Sequence, residues 1–192
     1  MNRPVFLMLF LCLSMGTAWG HNHEIEQKLR EVDATLEEKA NYDASKEERI
    51  NRLRGDLRDA VDESGRWEAT FHLYEEYASY KYDSAYNYAL ALGEMAANSP
   101  IQDLVAEAEL AKVICLINAG LFKEAFDTAS TISEDRLSSR ARLSYYRTMV
   151  RLNYSARGYA QTEPYWDQYS QAGEILQPQS SGDCSGKFPY LA

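Results

Sequence analysis

Between residues 24 and 176 apolar residues recur at steps of three and four and no strand-like alternation persists, so the chain predicts helices throughout. Ile25, Leu29, Val32 and Leu36 form a narrow seam on one densely charged helix. Asn41-Tyr42-Asp43 then predicts a turn, and Ser45 with Glu48 reads as a capping box, each side chain placed to satisfy the other residue's backbone N–H. A second seam follows at Ile50, Leu53, Leu57 and Val61. Two such stripes predict a charged helical hairpin over residues 21–64, in which they bury each other, or a short coiled coil, in which they bury a second chain.

From Arg66 onward the texture changes to aromatic and small residues. Tyr82-Asp83-Ser84-Ala85-Tyr86 returns 40 positions later as Phe122-Lys123-Glu124-Ala125-Phe126. Each stretch is preceded by a predicted helix, over 67–80 and 101–119, and opens another. Ser99-Pro100 reads as the start of the second of these, with serine as cap and proline in the first helical position. A period of this size is the mark of a helical repeat protein. A third pair, over 143–154 and 164–176, follows less regularly around Gly158.

Ala119-Gly120-Leu121-Phe122-Lys123-Glu124-Ala125 resembles the turn of a tetratricopeptide repeat. Glycine there can take the left-handed conformation that ends a helix, the aromatic packs into neighbouring helices, and alanine permits close helix approach. Val113 stands where that family usually has glycine or alanine, and the first repeat has Tyr80-Lys81 in place of the glycine turn. The 40-residue offset exceeds the family's usual period of about 34, which predicts an extended loop near residues 97–100. A wider set of segments, Thr35–Lys39, Lys46–Ile50, Leu73–Tyr77, Tyr82–Tyr86 and Ala119–Ala125, is similar to the periplasmic sensor half of membrane-bound helix-turn-helix regulators of Bacteroidota-type Gram-negative bacteria. That resemblance implies a signal peptide, a helical hairpin and a tetratricopeptide array. The regulators continue into a membrane helix and a DNA-reading domain, which this sequence does not show. The predicted fold is all-α: a helical hairpin followed by a tetratricopeptide-like right-handed α-solenoid of three helix pairs over residues 65–177, with a Ser/Gly-rich disordered tail over 178–192.

The first 20 residues, Arg3 followed by an apolar run from Val5 to Met15 and then Ala18-Trp19-Gly20, read as a signal peptide rather than a membrane span. Cys12 follows Phe10-Leu11 instead of small residues, which argues against a lipidated cysteine. The expected location is therefore periplasmic or secreted. With 29 acidic against 20 basic residues the chain carries a net charge of −9, and loss of Arg3 with the leader makes it more negative by one. A field of that sign repels phosphate backbones, so nucleic acid is not the expected partner. Cys115 fits an apolar helix as a small core residue, and Cys184 lies in the tail; two cysteines make no disulfide framework.

No phosphate-binding glycine loop, paired-histidine zinc helix or serine nucleophile elbow occurs, so neither catalytic residues, cofactor nor metal is assigned and the expectation is a non-enzyme. Cleavage after Gly20 would expose His21-Asn22-His23, a short terminus of the kind that wraps Cu(II) or Ni(II), although the pattern is too common to carry a role. The 14 tyrosines matter more. In a helical array some are core and others line the concave groove, where an amphipathic ring contacts peptide at low entropic cost. Tyr74, Tyr77 and Tyr145, with Arg147 and Arg151, are the groove candidates for a protein or peptide partner. Two functions follow from these observations. One is an exported binding module, a sensor or adaptor. The other is a self-assembling structural protein, a homodimer paired through residues 24–64.

Overall fold

The computed structural model describes residues 23–97 and 99–180. Residues 1–22, with the expected signal peptide, Cys12 and His21-Asn22, and the segment from 181 onward, with Cys184, lie outside the described residues, as does residue 98. Helix α1 covers residues 23–37. It is followed by α2 (Lys39–Asp59), α3 (Glu63–Ala78), α4 (Tyr82–Ala96), α5 (Gln102–Asn118), α6 (Phe122–Ala129), a short 3-10 turn (Glu134–Arg136), α7 (Ser139–Ala160) and α8 (Tyr165–Ser180). Among the described residues there is no strand, and no helix is long and apolar enough to cross a membrane. The chain divides into two compact units, one up to Arg49 and one from Ile50 onward.

In the first unit helix runs straight through the turn expected at Asn41-Tyr42-Asp43. Glu38 N–H donates to the Ala34 carbonyl at 3.3 Å, and Asn41 and Tyr42 N–H both donate to the Glu38 carbonyl. No glycine or proline interrupts the stretch, and asparagine, tyrosine and aspartate cost only about 0.7 kcal/mol each in a helix. A Lys39–Asp43 ion pair of 2.8 Å spans the site one turn apart. Ser45 consequently lies inside α2 and caps nothing. Every residue from 23 to 42 is exposed, the Ile25, Leu29, Val32 and Leu36 seam included.

The second unit takes up the other seam. Ile50 is fully buried, and Leu53 and Leu57 pack against the same cluster, which includes Leu73, Tyr77, Ala89 and Leu92. Val61 is left exposed. The predicted hairpin is thus replaced by a long α2 whose second stripe belongs to the core of the repeats.

Three helix pairs follow, α3/α4, α5/α6 and α7/α8, with α5 packed against α4 and α7. Alanines at the crossings, Ala85, Ala89, Ala108, Ala111, Ala125 and Ala129, are all buried; without bulky side chains the helices close on each other, and a second cluster forms around Val113, Leu116, Ala125 and Leu152. α3 and α7 are capped by side chains: Asp62 Oδ1 accepts from Gly65 N–H at 2.7 Å and Ser138 Oγ from Ala141 N–H at 3.3 Å. At the α5–α6 turn Gly120 has φ +74°. Its N–H donates to the Ile117 carbonyl, and that of Leu121 to the Leu116 carbonyl, so the last carbonyls of α5 are satisfied by a Schellman motif. The α7–α8 turn puts Gln161 in the same left-handed region at φ +48°, its side chain donating to the Gly158 carbonyl. Gly158 itself is helical.

The extra length of the repeat is not where it was expected. Only five positions separate the end of α4 from the start of α5, and α4 is a full 15-residue helix. α6 has only 8 residues and is followed by a longer connection over 130–138 that holds the 3-10 turn. α5 begins at Gln102 rather than Pro100, with Ser99 Oγ accepting from Ile101 N–H at 3.1 Å just before it. α8 continues to Ser180 with Pro178 inside its last turn, so the first residues of the predicted tail are helical.

Candidate functional site

The first helices of the three pairs, α3, α5 and α7, face a common groove. Its upper part is a cavity of about 310 Å³. Phe71 and Tyr74 of α3, with ring centroids 5.8 Å apart, make an aromatic wall. Leu110, Ala111 and Ile114 of α5 make an apolar floor, and Arg140, Arg147 and Arg151 of α7 make the opposite wall. A second cavity of about 520 Å³ shares Tyr74, Ile114 and Arg151 and continues along the last turns of α3 and α5 past Asn118.

The repeat explains why these residues meet. Adding 40 to Phe71 and Tyr74 gives Ala111 and Ile114, and adding 37 to Ala111, Ile114 and Leu110 gives Thr148, Arg151 and Arg147; all line the groove. Equivalent positions on successive first helices therefore build the surface. Their ends are tied by a polar relay: Asn118 donates to the Ala78 carbonyl at 3.2 Å and accepts from Arg151 at 2.6 Å. Arg147 Nε donates to the Ser180 carbonyl at 3.1 Å, fixing that side chain to the end of α8.

The charges are divided along the groove. Near Arg140 stand Asp103 and Glu107. Burial pushes the Glu107 carboxyl above the usual carboxylate range; Arg140 and a hydrogen bond from Trp67 oppose this, while Glu75 and Asp103 add to it. Asp103 is held below that range by hydrogen bonds from the Ser138 side chain and backbone, the latter at 3.0 Å. Among the described residues the second cavity, which Arg151 enters, has no carboxylate in its lining. The groove thus offers an apolar and aromatic bed, an arginine-rich end and a mixed-charge end.

Of the five residues expected there, Tyr74, Arg147 and Arg151 line the groove. Tyr77 does not. It is 2 % exposed, stacked on Tyr88 at 5.6 Å, with its hydroxyl bonded to Arg54 at 2.7 Å. One turn of helix separates it from Tyr74, and that step carries it from the groove face into the packing with α2 and α4. Tyr145 lies against Tyr146 and beside Glu134, whose charge, after burial, raises its hydroxyl pKa; it is not part of the lining. Phe71, Ile114, Glu107 and Arg140 were missed. The 40-residue offset applied to Tyr74 would have found Ile114. Among the described residues no group of three or more metal-ligating side chains comes together.

Residues 36–179 match the family described as the SusR N-terminal TPR domain. The chain belongs to that family. Its matched region starts on α1 and ends on α8, so α2 is part of the SusR-type tetratricopeptide domain and not an appendage to it. No curated protein and no solved structure matched the chain. Tetratricopeptide arrays are typically protein–protein interaction scaffolds that hold their partners on a concave surface.

Proposed function

We propose that this protein is an exported, non-enzymatic SusR-type sensor or adaptor module that holds an extended segment of a protein partner in the groove between α3, α5 and α7. The observation that carries the reading is that equivalent repeat positions converge on one surface, with Phe71 and Tyr74 facing Arg147 and Arg151 across the Ile114 floor. Rigid aromatics supply contact area, and guanidinium groups on an otherwise acidic protein select what lies opposite them. The fitting ligand is a peptide segment with apolar residues over the floor and a carboxylate at the Arg147–Arg151 end. A net charge of −9 disfavours nucleic acid, and the leader supports export.

Selection from a random peptide display library tests the reading. Folded protein should enrich peptides with an acidic residue in fixed register to apolar ones. Their binding should be lost in Arg151→Glu and weakened in Phe71→Ala, while circular dichroism shows both variants folded at the assay temperature. Absence of enrichment, or peptides that bind Arg151→Glu equally well, would refute the groove assignment. Recovery of a cleaved form beginning near His21 from the periplasm would test export separately.

A further inference from the structure

Helix α1 presents an apolar seam with nothing on it. Ile25, Leu29, Val32 and Leu36 are 46 %, 58 %, 54 % and 61 % exposed, and all residues around them are exposed as well. A helix of about 15 residues is marginal in water on propensity alone and normally draws its stability from packing one face. The seam has the a/d spacing of a coiled coil, with Leu29 and Leu36 at a and Ile25 and Val32 at d. Continuing the register brings Lys39 to d and Asp43 to a. These two are charged and paired with each other at 2.8 Å, so the pairing surface stops at Leu36. The second seam, by contrast, lies in the repeat core through Ile50, Leu53 and Leu57 and is not available to a partner.

We propose that α1 associates with α1 of other copies of this chain as a short, parallel, in-register coiled coil over residues 25–36, leucine at a with β-branched residues at d favouring more than two strands. The flanking charges choose the partner and the direction. In a parallel pair a g residue faces the e residue five positions later on the other helix. Lys28 at g then faces Asp33 at e, and symmetry makes this attraction twice. Lys28 at present holds only an exposed ion pair to Glu31 at 2.9 Å, a contact of the kind that contributes little and is easily exchanged. An antiparallel pair would instead bring e against e, Glu26 against Asp33, both acidic. A lipid surface fits poorly, because Glu24, Glu26, Glu31, Asp33, Glu37 and Glu38 outnumber Lys28 and Arg30 on this helix and are repelled by anionic headgroups. With fewer than three heptads the association is weak and reversible, and added salt strengthens it by screening the surplus of carboxylates.

Sedimentation equilibrium of the purified protein tests this. A concentration-dependent equilibrium between monomer and α1-linked oligomer is expected, with association at least about tenfold weaker in Val32→Glu (each 1.4 kcal/mol being a factor of ten) while the melting temperature extrapolated to the monomer is unchanged. Lys28→Asp should weaken the assembly, and adding Asp33→Lys should restore it. Val32→Cys should form an intermolecular disulfide on mild oxidation that the parent, carrying its native cysteines, does not form. Parent protein that stays monomeric at the highest concentrations, an oligomer indifferent to Val32→Glu, or a Lys28→Asp/Asp33→Lys variant no better than Lys28→Asp would each overturn the proposal. None of these outcomes depends on what the groove binds.

Discussion

Adding one methyl group at Gly173 should do the opposite of adding one at Gly158. Both glycines are helical, in α8 and α7. Alanine in a helix interior is favoured over glycine by about 0.8–1 kcal/mol. At Gly158 a Cβ would meet nothing within 4 Å, so Gly158→Ala should gain most of that. At Gly173 a Cβ would lie 2.8 Å from Cε1, 3.0 Å from Cζ and 3.2 Å from Cδ1 of Tyr154. The ring cannot step aside freely. Its hydroxyl donates to Gln177 Oε1 at 3.2 Å, and the Arg157 guanidinium lies 5.1 Å from its centroid. Overpacking of this kind costs about 1–3 kcal/mol, so Gly173→Ala should come out about 1 kcal/mol less stable than the parent after the propensity gain is counted. The two variants then differ by about 2 kcal/mol, or about 4–8 °C in melting temperature for a protein of this size. Thermal unfolding followed by circular dichroism reads this directly. A Tyr154→Ala background supplies the control: without the ring, Gly173→Ala should become stabilising. If Gly173→Ala melts at or above Gly158→Ala in the parent background, the α7–α8 contact is not as tight as these distances state, and the reasoning fails.

Three further outcomes follow from named side chains. Tyr77→Phe removes the hydroxyl bonded to Arg54 and should lower stability by about 1 kcal/mol without changing peptide binding, as calorimetry on selected peptides would show. Arg140→Ala removes the charge that opposes burial at Glu107, so NMR titration should find that carboxyl displaced further upward. Because its folded pKa already lies above the unfolded value, its contribution to stability is fully present at low pH and is lost as pH rises through the folded value; Glu107→Gln should therefore gain on the parent between acidic and neutral pH. Cys115 is buried and its thiol is pushed up to about 11 by desolvation, so peptide-level mass spectrometry should find it resistant to iodoacetamide at pH 8 until the protein unfolds. Its contribution to stability should fall as pH climbs from about 9 toward 11.

The repeats were legible because their signals are local. Gly120, Phe122 and Ala125 identify a turn and two crossings from residue type alone, and the structure gives each the expected role. The turn expected at Asn41-Tyr42-Asp43 does not form because turn-favouring residues without glycine or proline are absorbed by a helix at small cost. The fate of the second seam was not legible at all. Ile50, Leu53 and Leu57 have the same spacing as the first seam, and only the presence of Leu73, Tyr77 and Leu92 across from them makes one stripe core and the other surface. The site divided in the same way. Tyr74 and Tyr77 differ by one turn, and period alone cannot say which of them looks into the groove. The repeat offset could have said more, since it maps Tyr74 onto Ile114.

A weak pairing of α1 and a groove for short segments have a joint consequence. A single groove floored by Leu110, Ala111 and Ile114 offers modest contact area, so one segment alone should bind and leave quickly. An assembly of the kind proposed presents two or more grooves, and a partner carrying two segments, or itself assembled in copies, would bind its second groove at an effective concentration fixed by the linkage rather than by bulk solution. Such a module responds to the assembly state of its partner more steeply than to its amount. Val32→Glu and Arg151→Glu separate the two contributions. The first should leave the affinity for a single peptide intact and abolish the gain from a tandem peptide, and the second should remove both.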